Sequence, residues 1–457
     1  LTTGFSLIDD YGDWKHIEIF DSLSMFLNWL GSTFLFPTPG RFRPFFELGH
    51  ALTWLVFGEA AWLHHLWRWL CKGLTLYLLF ATVRTAGLRA GPGFVLAAAL
   101  FLLFPNNPEA RLAPQELSSG LGLMILLQAW VGRLTGQTLS LLPVLGGSAL
   151  LLFSKESNIV FVPIFLLFLF FPLPRRREWS SVAFLLILCG YCFFRLSVAM
   201  SAGGYGVPSV DRDFPAMLRF VLGQAFLLEL GWLPALGMLI VFLAPLILLK
   251  ERDLRLAIVF LYGVAFCSLA IGVLSWAPVT RYWYLFVPVI SLLFAVVLAK
   301  NQSWFVPFSL PVLLLVLFMA GPYLFNFVAQ NSSTVVEGRL LLDLENRLAD
   351  GQKIQVSGDA EAAEKIRIFF AEYRPRLRSQ PGVALSSETD ATFLVTTARE
   401  ELKIAQEFRE TRPFAFQRKI IDLSLTLQGK DPPGLYVDAG VFFPYSYAWY
   451  VYARTQP

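Results

Sequence analysis

Between about residue 60 and residue 325 the chain returns repeatedly to apolar stretches that reach or approach the ~20 residues needed to cross a hydrocarbon core, and no other feature restricts its fold as strongly. Inside lipid every backbone N–H and C=O must be bonded within its own segment, so runs of this kind fold as helices. Ten spans are expected, at 63–83, 91–104, 118–132, 138–153, 158–173, 180–197, 231–249, 256–276, 284–299 and 304–325. Only 15% of the residues are charged, well below the roughly 25% of a soluble domain. The fold class expected is therefore an α-helical polytopic membrane protein, with membrane lipids among its partners.

Charge placement sets the expected orientation, because cytoplasmic loops collect Lys and Arg. The loops on one side (84–90, 133–137, 174–179, 250–255 and 300–303) hold ten cations in 28 residues; the opposite loops (105–117, 154–157, 198–230 and 277–283) hold five in 57. The first set is assigned to the cytoplasm, with the Arg175–Arg176–Arg177 run as a topology determinant. Both ends of this chain then lie outside the cytoplasm, and a bacterial inner membrane is the expected location. The net charge of +4 does not imply nucleic acid, since anionic headgroups already favour excess Lys and Arg. All four cysteines sit in apolar runs and read as small buried hydrophobes, the Cys189-x-x-Cys192 pair included.

The ends differ from the middle. The chain opens at Leu1 with a polar stretch, Gly4 to Lys15, and a transmembrane helix or signal anchor upstream is expected. From Gly12 to Phe36 the apolar residues Ile17, Phe20, Leu23, Phe26, Trp29 and Leu30 fall near helical spacing, the pattern of a helix lying in the interface. The loop region 1–60 and the spans together form a membrane domain, 1–329. Residues 214–230 are expected to form a second interfacial or re-entrant helix. Beyond residue 330 charge is spread throughout; helical patterns at 335–350, 359–372 and 398–410 alternate with apolar runs at 353–356 and 392–396, the pattern of a small soluble α/β domain, 330–457.

Ionisable residues in so apolar a chain are costly, and here they crowd the outer loops. Those loops carry Asp9–Asp10, then Arg41-Phe42-Arg43-Pro44, then Pro105 to Ala110 with Gln115–Glu116, then Ser154-Lys155-Glu156-Ser157, and finally Arg281-Tyr282-Trp283-Tyr284. In this order the segments resemble the GT-C superfamily of membrane glycosyltransferases, and are most similar to the membrane part of the TPR-containing protein O-mannosyltransferases and their bacterial relatives. In that family an acidic pair follows the first helix, an R-P follows an interfacial helix, P-x-x-P-E-A leads toward Q or R, S-K-E-S joins two spans, and R-Y-x-Y-x-x-x-P opens a late helix. The resemblance covers about residues 5–300. This chain departs from it in lacking the tetratricopeptide repeats and, as given, the first helix.

The resemblance implies a GT-C-like fold and an enzyme that moves a sugar from a polyprenyl-phosphate donor to a protein or glycan acceptor at the outer face. Such a donor carries its own leaving group, so the protein must deprotonate a hydroxyl and stabilise a phosphate. Asp9 or Asp10 is the expected base, the neighbouring carboxylate raising its basicity; capping of the interfacial helix is the competing role for either. Arg41, Arg43, Lys155 and Arg281 are the expected donor phosphate ligands, against snorkelling to headgroups. Glu109, Gln115, Glu116 and Tyr282 are assigned to orienting the substrates, and Glu156 to that role or to pairing with Lys155. His50, His64 and His65 read as packed or interfacial residues. No metal and no other cofactor is expected, a divalent ion at Asp9–Asp10 being the alternative that some GT-C enzymes suggest. Partner subunits would dock through 330–457. Two other functions compete: an inactive GT-C-fold subunit of a membrane assembly, and a transporter of lipid-linked substrates.

Overall fold

The computed structural model describes residues 23–35, 43–57, 60–89, 91–104, 114–171, 174–201, 214–228, 232–274, 283–300, 311–317, 340, 353–357, 384–385, 393–396, 408–417 and 446–454. Its helices are α1 (Leu23–Leu35), α2 (Pro44–Phe57), α3 (Ala61–Thr85), α4 (Pro92–Leu103), α5 (Pro114–Leu134), α6 (Leu141–Leu152), α7 (Val162–Phe170), α8 (Trp179–Ser201), α9 (Phe214–Ala225), α10 (Trp232–Leu243), α11 (Arg252–Leu274) and α12 (Trp283–Lys300). Short 3-10 helices precede α7 (Glu156–Phe161), precede α8 (Arg176–Glu178) and extend α10 (Ala244–Lys250). A helix lies over each expected span, the last represented by 311–317.

Four described segments are long and apolar enough to cross a membrane, 117–134, 176–194, 232–250 and 252–273, and shorter apolar helices occupy 93–103, 141–152, 157–170 and 284–300. By length and composition the chain is a helical membrane protein. Helix α3, at 25 residues, is long enough as well, but His64, His65, Arg68 and Lys72 lower its hydropathy. Trp62 and Trp179 are exposed near their helix ends, where aromatic residues anchor helices at a membrane interface. The expected interfacial segment 12–36 is described only in its second half, as α1; in the expected 214–230 segment, α9 packs on α11 and buries Val221 and Ala225.

Helix α12 is the centre of the bundle. Every residue from Tyr284 to Leu298 is buried, as befits a helix that is apolar all round. It packs against α3, α4, α5, α10 and α11. Close approach depends on glycine at particular contacts. A Cβ on Gly93 would lie 2.4 Å from Leu298 Cβ, and one on Gly122 would lie 2.5 Å from the Leu151 backbone nitrogen, where α5 and α6 meet.

One end of the bundle is closed by a buried ion pair. Arg133, in the last turn of α5, donates from Nε to Glu178 Oε2 at 3.1 Å and from Nη1 to the Phe168 carbonyl at 2.9 Å. Glu178 also accepts from the backbone N–H groups of Leu139 and Arg175. Its side chain is 1% exposed. Arg175 donates to the carbonyls of Gly136 and Gln137, across a turn in which Gly136 takes φ +109°. The arginine run expected only to set topology thus also ties the α5–α6 turn to the α7–α8 turn. At this end Thr85 of α3 accepts hydrogen bonds from Gln128 on its hydroxyl and from Gln137 on its carbonyl.

The described part of 330–457 contains a five-stranded sheet with spatial order β2–β1–β3–β5–β4. Strands β1 (Lys353–Ser357), β2 (Ala384–Leu385) and β3 (Phe393–Thr396) are parallel, while β5 (Ser446–Arg454) runs antiparallel to β3 and to β4 (Phe408–Gln417). Strands β1 and β3 fall on the apolar runs expected as strands. The helical pattern expected over 398–410 is corrected at its end, because Phe408 to Glu410 belong to β4 and pair with β5 across a bulge between Glu410 and Arg412. Pairing along the whole of β5 overrides the local helical spacing. The helices expected at 335–350 and 359–372 lie, apart from residue 340, outside the described residues.

The ion pair yields a stability test. Glu178→Ala leaves the Arg133 guanidinium buried without its carboxylate and should cost about 3–5 kcal/mol in detergent unfolding, whereas Glu178→Ala with Arg133→Met should recover much of that loss. Equal losses in the single and double variants would contradict this account of the pair.

Candidate functional site

The opposite end of the bundle is built on α3. His64, Arg68, Lys72 and Thr75 recur every three or four residues and so share one helix face. That face is buried, with His64 at 5%, Arg68 at 6%, Lys72 at 2% and Thr75 at 0% exposure, while Leu66, Leu70, Leu74 and Tyr77 are exposed on the other side. His64 meets the ring of Phe57 edge-on at 5.5 Å, as a packed histidine should. Cations within membrane helices characteristically turn toward the bundle interior, as these do.

From Lys72 a continuous set of contacts runs to Lys155. The Lys72 ammonium lies 5.5 Å from the Trp69 ring centre and 5.8 Å from that of Phe101, within the range of a cation–π attraction. Phe101 packs on Tyr284 of α12, with centroids 6.4 Å apart. The Tyr284 hydroxyl is 3.4 Å from Thr75 Oγ1, which itself donates to the Cys71 carbonyl. The Tyr284 ring lies directly over Gly120 of α5, where a Cβ would come within 2.2 Å of it. The neighbouring Ser119 accepts from Asn158 Nδ2 at 2.8 Å. The Asn158 backbone N–H in turn donates to the Lys155 carbonyl at 3.1 Å, closing the turn that Lys155 opens.

Lys155 is 5% exposed and takes an extended backbone before the 3-10 helix Glu156–Phe161. The segment of Arg43 is brought to the same place. Phe45 donates its backbone N–H to the Phe153 carbonyl at 3.1 Å, and the two rings stack at 5.7 Å. Arg43 and Lys155 therefore each lie two residues from one hydrogen bond, which joins the R-P and S-K-E-S segments. Arg43 is half-buried.

Gln115 and Glu116, expected in a loop, fall in the first turn of α5, and Glu156 begins the 3-10 helix. Asp9, Asp10, Arg41, Glu109, Arg281 and Tyr282 lie outside the described residues. Reading by sequence missed Arg68, Lys72, Thr75, Asn158 and Tyr284. The α3 residues carried a usable signal, the 64-68-72-75 spacing. Asn158 carried none, being the polar first residue of an otherwise apolar run.

Along α5, Ser119 and Arg133 are about 21 Å apart at 1.5 Å per residue, so the two polar layers bound an apolar slab somewhat thinner than the ~30 Å hydrocarbon core. The cation layer is thus set into the bundle, with about three further turns of α3 beyond Lys72 on that side. Among the described residues no group of three or more His, Cys, Asp or Glu is placed to hold a metal. A scan against protein-family models gives no match to this chain, and a search of curated proteins gives none either.

Seating Tyr284 on a glycine makes the two positions interdependent. Gly120→Ala should lower thermal stability in the parent and much less in a Tyr284→Ala background, with a coupling of about 1–3 kcal/mol between neighbours. Additive effects would show that the ring moves aside freely.

Proposed function

We propose that the chain is a glycosyltransferase of GT-C type that takes a sugar from a polyprenyl-phosphate donor and transfers it to a protein or glycan acceptor at the outer face of the membrane. The observation that carries this reading is the gathering of buried cations at one end of a membrane helix bundle. Arg68, Lys72 and Lys155 are each at most 6% exposed; Lys72 and Lys155 are joined through Phe101, Tyr284, Ser119 and Asn158, Arg68 lies one turn before Lys72 on the same buried face, and the Arg43 segment is hydrogen-bonded alongside. Such a layer suits an anion entering from lipid. Its depth in the bundle suits a phosphate on a membrane-embedded chain.

In this reading Asp9 or Asp10 takes the proton of the acceptor hydroxyl as its oxygen attacks the anomeric carbon. The bond from that carbon to the phosphate oxygen breaks, and polyprenyl phosphate leaves with its charge held by Lys155, Arg43, Arg41 and Arg281, joined by Arg68 and Lys72. The apolar walls keep water from competing for the sugar and strengthen the attraction between cation and phosphate. Glu109, Gln115, Glu116, Glu156 and Tyr282 orient the two substrates. The cation layer takes the outer side and the Arg133–Glu178 layer the cytoplasmic side, in a bacterial inner membrane, in keeping with the loop charges. The domain 330–457 lies outside the cytoplasm and engages the acceptor or a partner subunit. No metal is required.

Membranes containing the full-length protein, given a panel of polyprenyl-phosphate sugars and candidate acceptors, should consume one donor. Asp9→Asn with Asp10→Asn should abolish transfer, Lys155→Gln should lower it by roughly 10²-fold or more, and EDTA should leave it unchanged. Loss with EDTA would move a divalent ion onto the acidic pair. No turnover of any donor would favour an inactive subunit, and donor movement across the bilayer without transfer would favour a transporter.

A further inference from the structure

Within the turn that carries Lys155, two side chains have hydrogen-bonding capacity that the described residues do not use, and Asn158 is the more deeply buried. Asn158 is fully buried. Its Nδ2 donates to Ser119 Oγ at 2.8 Å and to the Leu151 carbonyl at 2.7 Å, which uses both amide hydrogens. A carbonyl can only accept, so the Leu151 contact fixes which way the amide faces and turns Oδ1 away from it. Oδ1 is buried and has no hydrogen-bond partner among the described residues, and the same holds for Oγ of the adjacent Ser157. Buried polar atoms are almost always paired, so an amide oxygen left over three residues from a buried cation points to a donor that those residues do not supply.

The position says which donor. The Asn158 N–H to Lys155 carbonyl bond makes the two residues the ends of a single 3-10 turn, about 6 Å apart along its axis. A ligand whose anion meets Lys155 presents to Asn158 whatever is attached next to that anion. In a sugar phosphate this is the ring with its hydroxyls. Oδ1 accepts only, and a hydroxyl supplies the hydrogen it lacks; Ser157 Oγ can take or give a second bond. Oδ1 has no solvent access, so the side chains over it must shift as the sugar enters. Resting on the donor assigned above, we propose that Asn158 is a sugar-recognition residue: its Oδ1 accepts a hydrogen bond from a hydroxyl of the same donor molecule whose phosphate Lys155 binds. Ser119 is then a positioning residue, holding the amide through Nδ2.

The test is binding without any acceptor present, which limits the hydroxyls to those of the donor. Full-length protein in lipid nanodiscs is titrated with polyprenyl phosphate and with the polyprenyl-phosphate sugar that it consumes. Asn158→Ala should weaken the sugar-bearing lipid about tenfold, the worth of one hydrogen bond to a buried group, and leave polyprenyl phosphate within about twofold. Lys155→Gln should weaken both. Within a series of monodeoxy sugars, one member should bind the parent protein about as weakly as the intact donor binds Asn158→Ala, and the variant should no longer distinguish that member from the intact donor. Equal weakening of both lipids by Asn158→Ala would mean a structural role and overturn the assignment. So would a deoxy series in which every member binds the parent protein like the intact donor, a result that needs no variant to fold. If the parent protein binds neither lipid, the proposed function falls and this assignment with it; if it binds both and Asn158→Ala keeps the preference for the sugar, only the assignment falls.

Discussion

The cost of holding charge away from water shapes both ends of this bundle. At one end Glu178 answers Arg133 directly and takes two backbone N–H groups besides, so the layer is satisfied within itself. At the other end His64, Arg68, Lys72 and Lys155 are buried together, each at most 6% exposed. Packed hydrophobic residues would be cheaper there. A cationic layer retained in an apolar bundle is what the binding of an anion would require, and a lipid-linked phosphate is an anion that arrives from the membrane side.

Between the two layers the structure relies on close apolar packing around α12. Glycines at 93, 120 and 122 let backbones and rings approach where any side chain would collide. Trp130 joins α5 to α7 twice, through its Nε1–H to the Phe165 carbonyl and through its ring against Phe165. These contacts fix the register of α5, which carries Ser119 and Gly120 at one end and Arg133 at the other. Fixing α5 therefore positions Asn158 and Tyr284 relative to α3.

Much of the helical layout was legible from hydropathy, because lipid leaves the backbone no alternative to the helix. The S-K-E-S segment was legible too: four polar residues between two apolar runs stand out, and Lys155 proved buried within the cation layer. Counting apolar residues hid the stripe on α3, since averaging over a span discards the angular position of His64, Arg68 and Lys72. The end of the expected helix at 398–410 failed for the opposite reason, as pairing with a distant strand decided Phe408 to Glu410 and no local pattern reports it. Tyr284 belonged to a recognised segment but drew no assignment, because its place over Gly120 depends on a contact 164 residues away in sequence.

Photocrosslinking tests the central claim most directly. A polyprenyl phosphate carrying a photoreactive group close to the phosphate, applied to the full-length protein in its membrane and competed with unlabelled polyprenyl phosphate, should label peptides containing Arg68, Lys72, Lys155 and Tyr284. Competed labelling confined to the Arg133–Glu178 end, or spread over the lipid-facing side of α3 at Leu66, Leu70 and Leu74, would contradict the assignment of the cation layer to a lipid-linked phosphate.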